Sequence, residues 1–247
     1  MREDHLRHDS LIPLHTRAVL DVGCGRGGNA AWLHGKGIAV DAISWSREEL
    51  KAVRPFCRRQ FLWDLNHGLP DIGSELYDGI MCSHVLEHIA YPGKLLEHLR
   101  RVLVPGGFLL IVVPNLLFWS DRFKLLRGRW EYESSGTFDY SHLRWYTVAS
   151  MHKLLSVYDL VPDAFIAEGW VPLPGLRVVI GSKLRNRVNE IACRLSPGLF
   201  GRQLIFRFRK RPEGLTFPTP SEEVAISGHA EFKFPAVDLW PTADLRF

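Results

Sequence analysis

Cysteine and methionine are scarce in this chain, and the cysteines stand far apart. The 247 residues include four cysteines and three methionines, and no two cysteines form a CxxC pair. A disulfide framework and a cysteine-based zinc site are therefore not expected, and a reducing compartment is the expected setting. With 46% hydrophobic and 23% charged residues, the chain is not mostly disordered and has enough apolar material for a core.

Long hydrophobic runs are also lacking. Residues 102–120 carry no charge, but Pro105, Gly106, Gly107 and Pro114 interrupt them. A membrane span needs about 20 residues of continuous helix, so this stretch predicts a buried strand between turns. The N-terminal MREDHLRHDS contains no apolar segment typical of a secretory signal. We therefore expect a cytoplasmic protein, with peripheral contact to a membrane as an open possibility.

Acidic residues are nearly absent between residues 177 and 211. This basic segment holds ten Lys or Arg against one acid, Glu190, whereas the whole chain carries a net charge of +4. It is interpreted as a solvated face, as a patch for anionic lipid or a phosphate-bearing substrate, or, least favoured, as a nucleic-acid surface. Apolar residues recur among the cations near helical spacing, which favours peripheral membrane contact over RNA: Leu176, Val179, Ile180, Leu184, Val188, Ile191 and Leu195.

Strand-like and helix-like segments alternate along residues 18–211. Such alternation predicts a doubly wound α/β domain with a largely parallel sheet. Residues 1–17 are expected to form an N-terminal extension, and 212–247, with five prolines, an irregular tail. No pattern indicates an oligomeric state. The expected strands are 18–22, 38–43, 59–63, 77–82, 108–113, 160–167 and 203–209.

Two local patterns predict where elements begin or end. Ser46-Arg-Glu-Glu49 has the form of a capping box and predicts the start of a helix. Pro105-Gly-Gly107 predicts a turn between the helix that begins at Pro92 and the fifth strand.

A glycine cluster follows the first strand. From Gly23 to Gly28, four of six residues are glycine. Ligands of doubly wound folds bind at the carboxyl ends of the strands, and glycine there lets the backbone come close to a ligand. The spacing of Gly23, Gly25 and Gly28 also fits the dinucleotide pattern GxGxxG. The loop by itself therefore predicts a nucleotide-type site without naming the cofactor.

Four segments, in order, carry a family resemblance: VLDVGCGRGG, DLNHGLP, YDGIMCSHVLEH and LRRVLVPGGFLLIVVPN. They resemble the successive motifs of class I S-adenosylmethionine-dependent methyltransferases, over residues 17–160. The resemblance implies S-adenosylmethionine as the cofactor and a single-domain, Rossmann-like sheet of seven strands, mostly parallel, with the strand near 203–209 antiparallel. It also implies methylation, with oxygen as the expected target, of a small-molecule or lipid-linked acceptor such as a quinone or glycan precursor.

The resemblance assigns the glycine loop to the methionine part of the cofactor. Asp21 and the turn of Gly23, Gly25 and Gly27 would face that part. Asp21 would either order the loop or meet the amino group.

The resemblance assigns two further regions to the cofactor. Asp64 matches the acid that accepts a hydrogen bond from the adenine amine, with a backbone contact from Leu65. Ser83 and His84, which follow the fourth strand, would line the side of the sulfonium.

Ser44 stands where the family usually has an acid that holds the ribose hydroxyls. A serine makes one neutral hydrogen bond where a carboxylate makes two charge-assisted ones, so weaker cofactor binding is expected. Ser44 with Arg47 also resembles a grip for the 2′-phosphate of NADP. Asp21 would repel a pyrophosphate, which disfavours an NADP-dependent oxidoreductase. A non-catalytic cofactor-binding domain is the other alternative.

Residues 115–146 are rich in aromatic side chains and follow the fifth strand, where a substrate lid is expected. Within them, GTFDYSHLRWYT resembles the corresponding stretch of quinone-biosynthesis O-methyltransferases and of methyltransferases associated with cell-surface glycan synthesis. His142 is the candidate base, with Asp139 as its candidate orienter. In the alternative, His142 makes a structural hydrogen bond, and substrate positioning alone provides the rate.

The segment His84-Val-Leu-Glu87-His88 fits the HxxEH pattern of inverted zinc proteases. Histidines four apart on a helix can reach one metal ion. The family resemblance already accounts for these residues, however, so no metal site is expected. Glu87 and His88 are predicted to pack and to cap the start of a helix.

Overall fold

The computed structural model describes residues 9–74, 76–172 and 181–211. Within these ranges the strands are β1 (Ala18–Val22), β2 (Ala39–Ser44), β3 (Arg59–Leu62), β4 (Tyr77–Ser83), β5 (Leu103–Pro114), β6 (Leu160–Gly169) and β7 (Gly201–Lys210). They form one sheet in the order β3-β2-β1-β4-β5-β7-β6. Strand β7 runs antiparallel to both neighbours, and the other pairs are parallel. The predicted sheet, with its last strand antiparallel, is confirmed.

The described helices pack on both faces of this sheet. They are α1 (Gly28–His34), α2 (Arg47–Val53), α3 (Pro92–Val102), α4 (Trp119–Leu126), α5 (Val148–Ser156), α6 (Ser182–Leu195) and α7 (Pro197–Phe200). Apolar residues of α1 and α2 belong to one hydrophobic cluster, and those of α3 and α5 to another. In the described residues, no helix has the length and apolar character that a bilayer span requires.

The central strands bury side chains on both faces because their successive residues point in opposite directions. In β4, Ile80 belongs to the cluster under α3, whereas Met81 belongs to the cluster under α1. In β5, Leu109 likewise belongs to the cluster under α3, and Leu110 belongs to the cluster under α1. Strands of this kind read as continuous apolar runs, which is why the sequence predicted them well.

The turn predicted at Pro105-Gly-Gly107 is instead an irregular part of β5. Tyr77 pairs with Leu103 and Gly79 with Phe108, so β5 carries extra residues opposite β4. Gly106 has φ 74°, a conformation that glycine adopts without steric cost. The pattern therefore marks a bulge, which bends the strand without ending its pairing.

A buried carboxylate joins three strands of the sheet, β2, β3 and β4. Asp41 in β2 is fully buried and accepts a hydrogen bond of 2.8 Å from the Tyr77 hydroxyl of β4. Arg58 and Arg59 donate to the same carboxylate at distances between 2.8 and 3.2 Å. The carboxylate of Asp41 is therefore occupied by hydrogen bonds within the fold. Ser44 is the polar residue at the end of β2.

Some expectations lie outside the described residues. They concern the apolar residues Leu176, Val179 and Ile180, the first residues of the basic segment, and the tail at 212–247.

Candidate functional site

The glycine loop joins β1 to α1 at the carboxyl edge of the sheet. Gly23, Gly25 and Gly27 have φ values of 72°, 51° and 84°, which side-chain-bearing residues rarely adopt. A Cβ on Gly23 would lie 2.4 Å from Cγ2 of Val85. The Gly23 N–H donates to the Ile43 carbonyl at 2.9 Å, which fixes the loop against β2. Glycine is therefore required here by the backbone geometry and by close packing.

Asp21 lies beneath this loop with an unsatisfied side chain. It is fully buried, and neither carboxylate oxygen has a hydrogen-bond partner among the described residues. Burial raises the pKa of this carboxyl to about 7. A buried carboxylate without donors is costly, so it suits a site that receives a donor or cation from a ligand. No hydrogen bond from the Asp21 side chain orders the loop in the part of the chain that the structure describes.

Glu49 of α2 places a carboxylate at the end of β2, where Ser44 stands in place of the acid that the family usually has. Ser44 is buried, and its hydroxyl donates to Oε2 of Glu49 at 2.5 Å while accepting from the N–H of Ser46 at 3.0 Å. Burial raises the pKa of the Cys24 thiol in the loop, and the charges of Asp21 and Glu49 add to the effect. Glu49 therefore lies close to both Ser44 and the glycine loop.

The capping box at Ser46 is thus only half formed. The Ser46 hydroxyl accepts from the Glu49 N–H at 3.3 Å, as predicted. The carboxylate of Glu49 contacts Ser44 in place of the Ser46 N–H. Sequence reasoning missed Glu49 as a site residue because its spacing from Ser46 already had a structural explanation.

Asp64 lies in an open cleft at the end of β3. The cleft has a volume of about 370 Å³ and is lined by Trp45, Leu62, Trp63, Asp64 and His67. Asp64 accepts hydrogen bonds from the backbone N–H and side-chain amide of Asn66, at 2.9 and 3.0 Å, and the backbone bond lowers its pKa. Leu65 is buried and begins the short turn that follows. An ionised carboxylate beside exposed indole rings suits a purine with an exocyclic amine.

Ser83 and His84 lie at the end of β4, beside the end of β1 in the sheet order. His84 has φ 55°, which is uncommon for a residue other than glycine. Its Nδ1 lies 3.0 Å from Oε1 of Glu87. Strained backbone of this kind is concentrated at functional sites.

His142 is buried at the end of the predicted lid, and Asp139 does not orient its ring. The ring Nδ1 lies 3.1 Å from the Thr137 carbonyl. The Asp139 carboxylate accepts from the N–H and hydroxyl of Ser141 at 2.8 and 2.5 Å. Burial opposes ionisation of Asp139, but the bonds from Ser141 outweigh it and lower the pKa. The expected pair of His142 and Asp139 is replaced by a bond between His142 and Thr137.

The HxxEH segment is not one helical face. Leu86–His88 is a single 3-10 turn, so His84 and His88 are not stacked as they would be on an α-helix. The His88 ring instead lies against the His142 ring, with centroids 4.8 Å apart. Glu87 is fully buried and bonds to His84, and the described N-cap of α3 is Tyr91. The prediction that Glu87 and His88 cap the helix is wrong.

The family of methyltransferase domains matches residues 10–163, more than half of the chain. This chain belongs to that methyltransferase family. The resemblance to class I S-adenosylmethionine-dependent methyltransferases, predicted from the four segments, is confirmed by this match and by the fold.

Known relatives of the methyltransferase include enzymes of quinone biosynthesis. A ubiquinone biosynthesis O-methyltransferase of Paracidovorax citrulli is 31% identical over 120 residues, which cover 43% of this chain and 48% of the relative. The chain thus spans about half of that relative's length. An uncharacterized methyltransferase of Mycobacterium bovis is 28% identical over 176 residues, which cover 64% of this chain and 84% of the relative.

Solved structures share the fold of the methyltransferase at low identity. A SAM-dependent methyltransferase from Archaeoglobus fulgidus has a TM-score of 0.56 at 18% identity, covering 79% of this chain and 87% of that chain. One from Methanosarcina mazei has the same TM-score at 16% identity, covering 83% and 96%.

The segment 115–146, predicted as a substrate lid, has several aromatic contacts of its own. Trp130 packs edge-on against Phe138 and Trp145, with centroids 4.9 and 5.2 Å apart. The indole N–H of Trp119 in α4 donates to the Trp170 carbonyl at 2.9 Å. Aromatic contacts therefore join parts of 115–146 to one another and to Trp170, which follows β6.

Proposed function

We propose that this protein transfers a methyl group from S-adenosylmethionine to an acceptor hydroxyl. The observation that carries the proposal is the buried, unpartnered carboxylate of Asp21 beneath a loop of three glycines with positive φ. The ammonium group of the cofactor would supply the cation that Asp21 lacks. The N-terminal end of α1 contributes its partial positive charge to the cofactor carboxylate.

The nucleoside end of the cofactor would extend from the loop along the carboxyl edge of the sheet. Ser44 and the Glu49 carboxylate would bind the ribose hydroxyls, because doubly wound folds commonly place an acid at this strand end. Asp64 would accept from the adenine amine in the cleft between Trp45 and Trp63. Ser83 and His84 would line the sulfonium side.

The reaction is an in-line displacement on a methyl group that the sulfonium already activates. The acceptor oxygen forms the bond to the methyl carbon while the sulfur–carbon bond breaks, leaving S-adenosylhomocysteine. Positioning the oxygen about 3 Å from the methyl group in a site without competing water supplies most of the rate. His142 would take the hydroxyl proton, since a positioned base typically contributes about 10²–10⁴-fold.

A lipid-linked or quinone acceptor is favoured by the relatives and by the surface of α6. Exposed apolar side chains of this helix alternate with cations, a pattern typical of helices that lie on anionic membranes: Leu184, Ile191 and Leu195 with Lys183, Arg187 and Arg194. Sedimentation with vesicles containing phosphatidylglycerol, and none with pure phosphatidylcholine vesicles, would support this surface. Equal sedimentation with both would contradict it.

The proposed activity is tested with the full chain, S-adenosylmethionine and an isoprenoid-substituted catechol as the probe acceptor. We expect O-methylated product, and we expect His142→Gln to lower kcat about 100-fold or more while leaving cofactor affinity unchanged. His152→Gln, a change on α5 outside the site, is the matched control. Cofactor binding without product from catechol acceptors would favour the non-catalytic alternative. NADPH binding without S-adenosylmethionine binding would favour the oxidoreductase.

A further inference from the structure

Three side chains that can bind a metal ion meet between the end of β4 and the end of the lid. Glu87 and His88 belong to the turn Leu86–His88, and His142 lies in the loop before α5. One potential ligand atom from each lies within 4.8 Å of the other two. The backbone keeps the segments together, because the N–H groups of Leu143 and Arg144 donate to the Glu87 carbonyl at 2.7 and 3.0 Å.

Both imidazole rings are held by backbone carbonyls. Nδ1 of His88 lies 3.2 Å from the Ser141 carbonyl, and Nδ1 of His142 lies 3.1 Å from the Thr137 carbonyl. A carbonyl only accepts, so each Nδ1 carries a proton, and in the neutral form of each ring the lone pair is on Nε2. Metal-binding histidines are commonly fixed in this way, with the second ring nitrogen donating to a carbonyl or carboxylate.

The buried carboxylate of Glu87 has an unsatisfied atom. Oε1 accepts from Nδ1 of His84 at 3.0 Å, whereas Oε2 has no hydrogen-bond partner among the described residues. Glu87 is fully buried and His142 is 8% exposed. Two imidazoles and a carboxylate thus lie together, with Glu87 and His142 buried and His88 partly exposed, and no described side chain donates to Oε2. A cation is the partner that such a set of acceptors lacks.

We propose that Glu87, His88 and His142 bind one divalent transition-metal ion of the zinc type. Two imidazoles and one carboxylate are the ligand set of zinc sites with an open fourth position, whereas Mg²⁺ and Ca²⁺ prefer oxygen ligands. Ligand atoms about 2.1 Å from zinc in tetrahedral geometry stand roughly 3.4 Å apart. Side-chain rotations that close the cluster by about 1.5 Å therefore suffice. His84 orients Glu87 and is not itself a ligand.

Binding of the ion would change what His142 can do. The Nε2 lone pair that binds the metal cannot also accept a proton, so His142 serves as a ligand or as a base, and not as both at once. The metal site does not depend on the proposed methyl transfer, since zinc binding is measurable without cofactor or acceptor.

The test is titration of the chelator-treated full chain with Zn²⁺ by calorimetry. We expect one ion per chain and an affinity that falls about 100-fold or more in His88→Ala and in His142→Ala. Glu87→Gln should weaken binding without changing side-chain size. His34→Ala, at the exposed end of α1, is the matched control and should bind as the unaltered chain does. Circular dichroism verifies that each variant is folded.

A second readout reports the coordination geometry directly. Co²⁺ bound by two imidazoles and a carboxylate in a four-coordinate site should give intense visible absorption in the unaltered chain and in His34→Ala, and not in His88→Ala. Absence of Zn²⁺ binding by the unaltered chain would overturn the proposal. Equal Zn²⁺ affinity in His88→Ala, His142→Ala and His34→Ala would overturn it as well. Either result would leave the methyl-transfer proposal standing, because that proposal rests on Asp21 and the glycine loop.

Discussion

At the scale of single residues, the site is marked by buried carboxylates whose partners are missing or unexpected. Asp21 and Glu87 both carry oxygens without a hydrogen-bond partner among the described residues, although native proteins satisfy nearly all such atoms. Glu49, by contrast, is paired with a serine where a ligand hydroxyl group could equally bind. The unpaired oxygens of Asp21 and Glu87 are therefore the atoms that a ligand or an ion would satisfy.

Glu49 gives a prediction at this scale. Glu49→Gln should lower the affinity for S-adenosylmethionine about 10-fold, because the amide replaces a charge-assisted hydrogen bond by a weaker neutral one. Calorimetric titration measures the change. Glu48→Gln is the matched control, since Glu48 is the exposed neighbour on α2 and its side chain accepts from the Ser46 hydroxyl instead of from Ser44. Equal affinities of the two variants would show that Glu49 does not hold the ribose.

Sequence reasoning reached some of these residues and not others for a physical reason. Asp21 lies near the end of β1 and Asp64 follows β3, so their position at the edge of the sheet can be deduced from the pattern. Ser44 pairs with the carboxylate of Glu49, and His142 pairs with the carbonyl of Thr137. These contacts depend on the tertiary arrangement of a helix end and a loop. The spacing of residues does not encode that arrangement. Asp139 was therefore predicted as the partner of the His142 ring, whereas the Thr137 carbonyl is its partner in the structure.

At the scale of elements, ion pairs and glycines hold the strands in register. Asp41 connects β2 to Arg59 and Tyr77, the first residues of β3 and β4, so this cluster lies away from the carboxyl edge of the sheet. Gly79 in β4 lies so close to Phe108 of β5 that a Cβ would come within 2.2 Å of the ring. Strand identities could be predicted from the apolar runs. The bulge at Gly106 could not, since the same residues also form turns.

The Asp41 cluster gives a prediction for this scale. Asp41→Asn should lower the free energy of unfolding by about 1–3 kcal/mol, because the buried Tyr77 hydroxyl and two partly exposed arginines lose their carboxylate partner. Urea unfolding followed by circular dichroism measures the loss. Asp163→Asn removes the carboxylate that bonds Arg207 and Arg209 at a partly exposed site, and it should cost about 1 kcal/mol or less. A comparable loss in both variants would contradict a special role for the buried cluster.

At the scale of the whole molecule, the strand order brings the candidate groups to one edge. Strands β2, β1 and β4 are neighbours, so Ser44, the glycine loop after Asp21, and His84 follow three adjacent strand ends. The segment 115–146 after β5 then places His142 beside His88, in the turn that follows β4. The sheet order was predictable from the family resemblance, and it determines where a cofactor can bind.

The most direct test of the account is calorimetric titration of S-adenosylmethionine into the full chain at pH 6, in buffers of different ionisation enthalpy. The pKa of Asp21, raised to about 7 by burial, keeps this carboxyl mostly protonated at pH 6. A cofactor ammonium group favours the ionised form, so binding should release protons. We predict binding of one cofactor per chain with proton release that disappears in Asp21→Asn. Absence of cofactor binding, or identical proton release in both proteins, would contradict it.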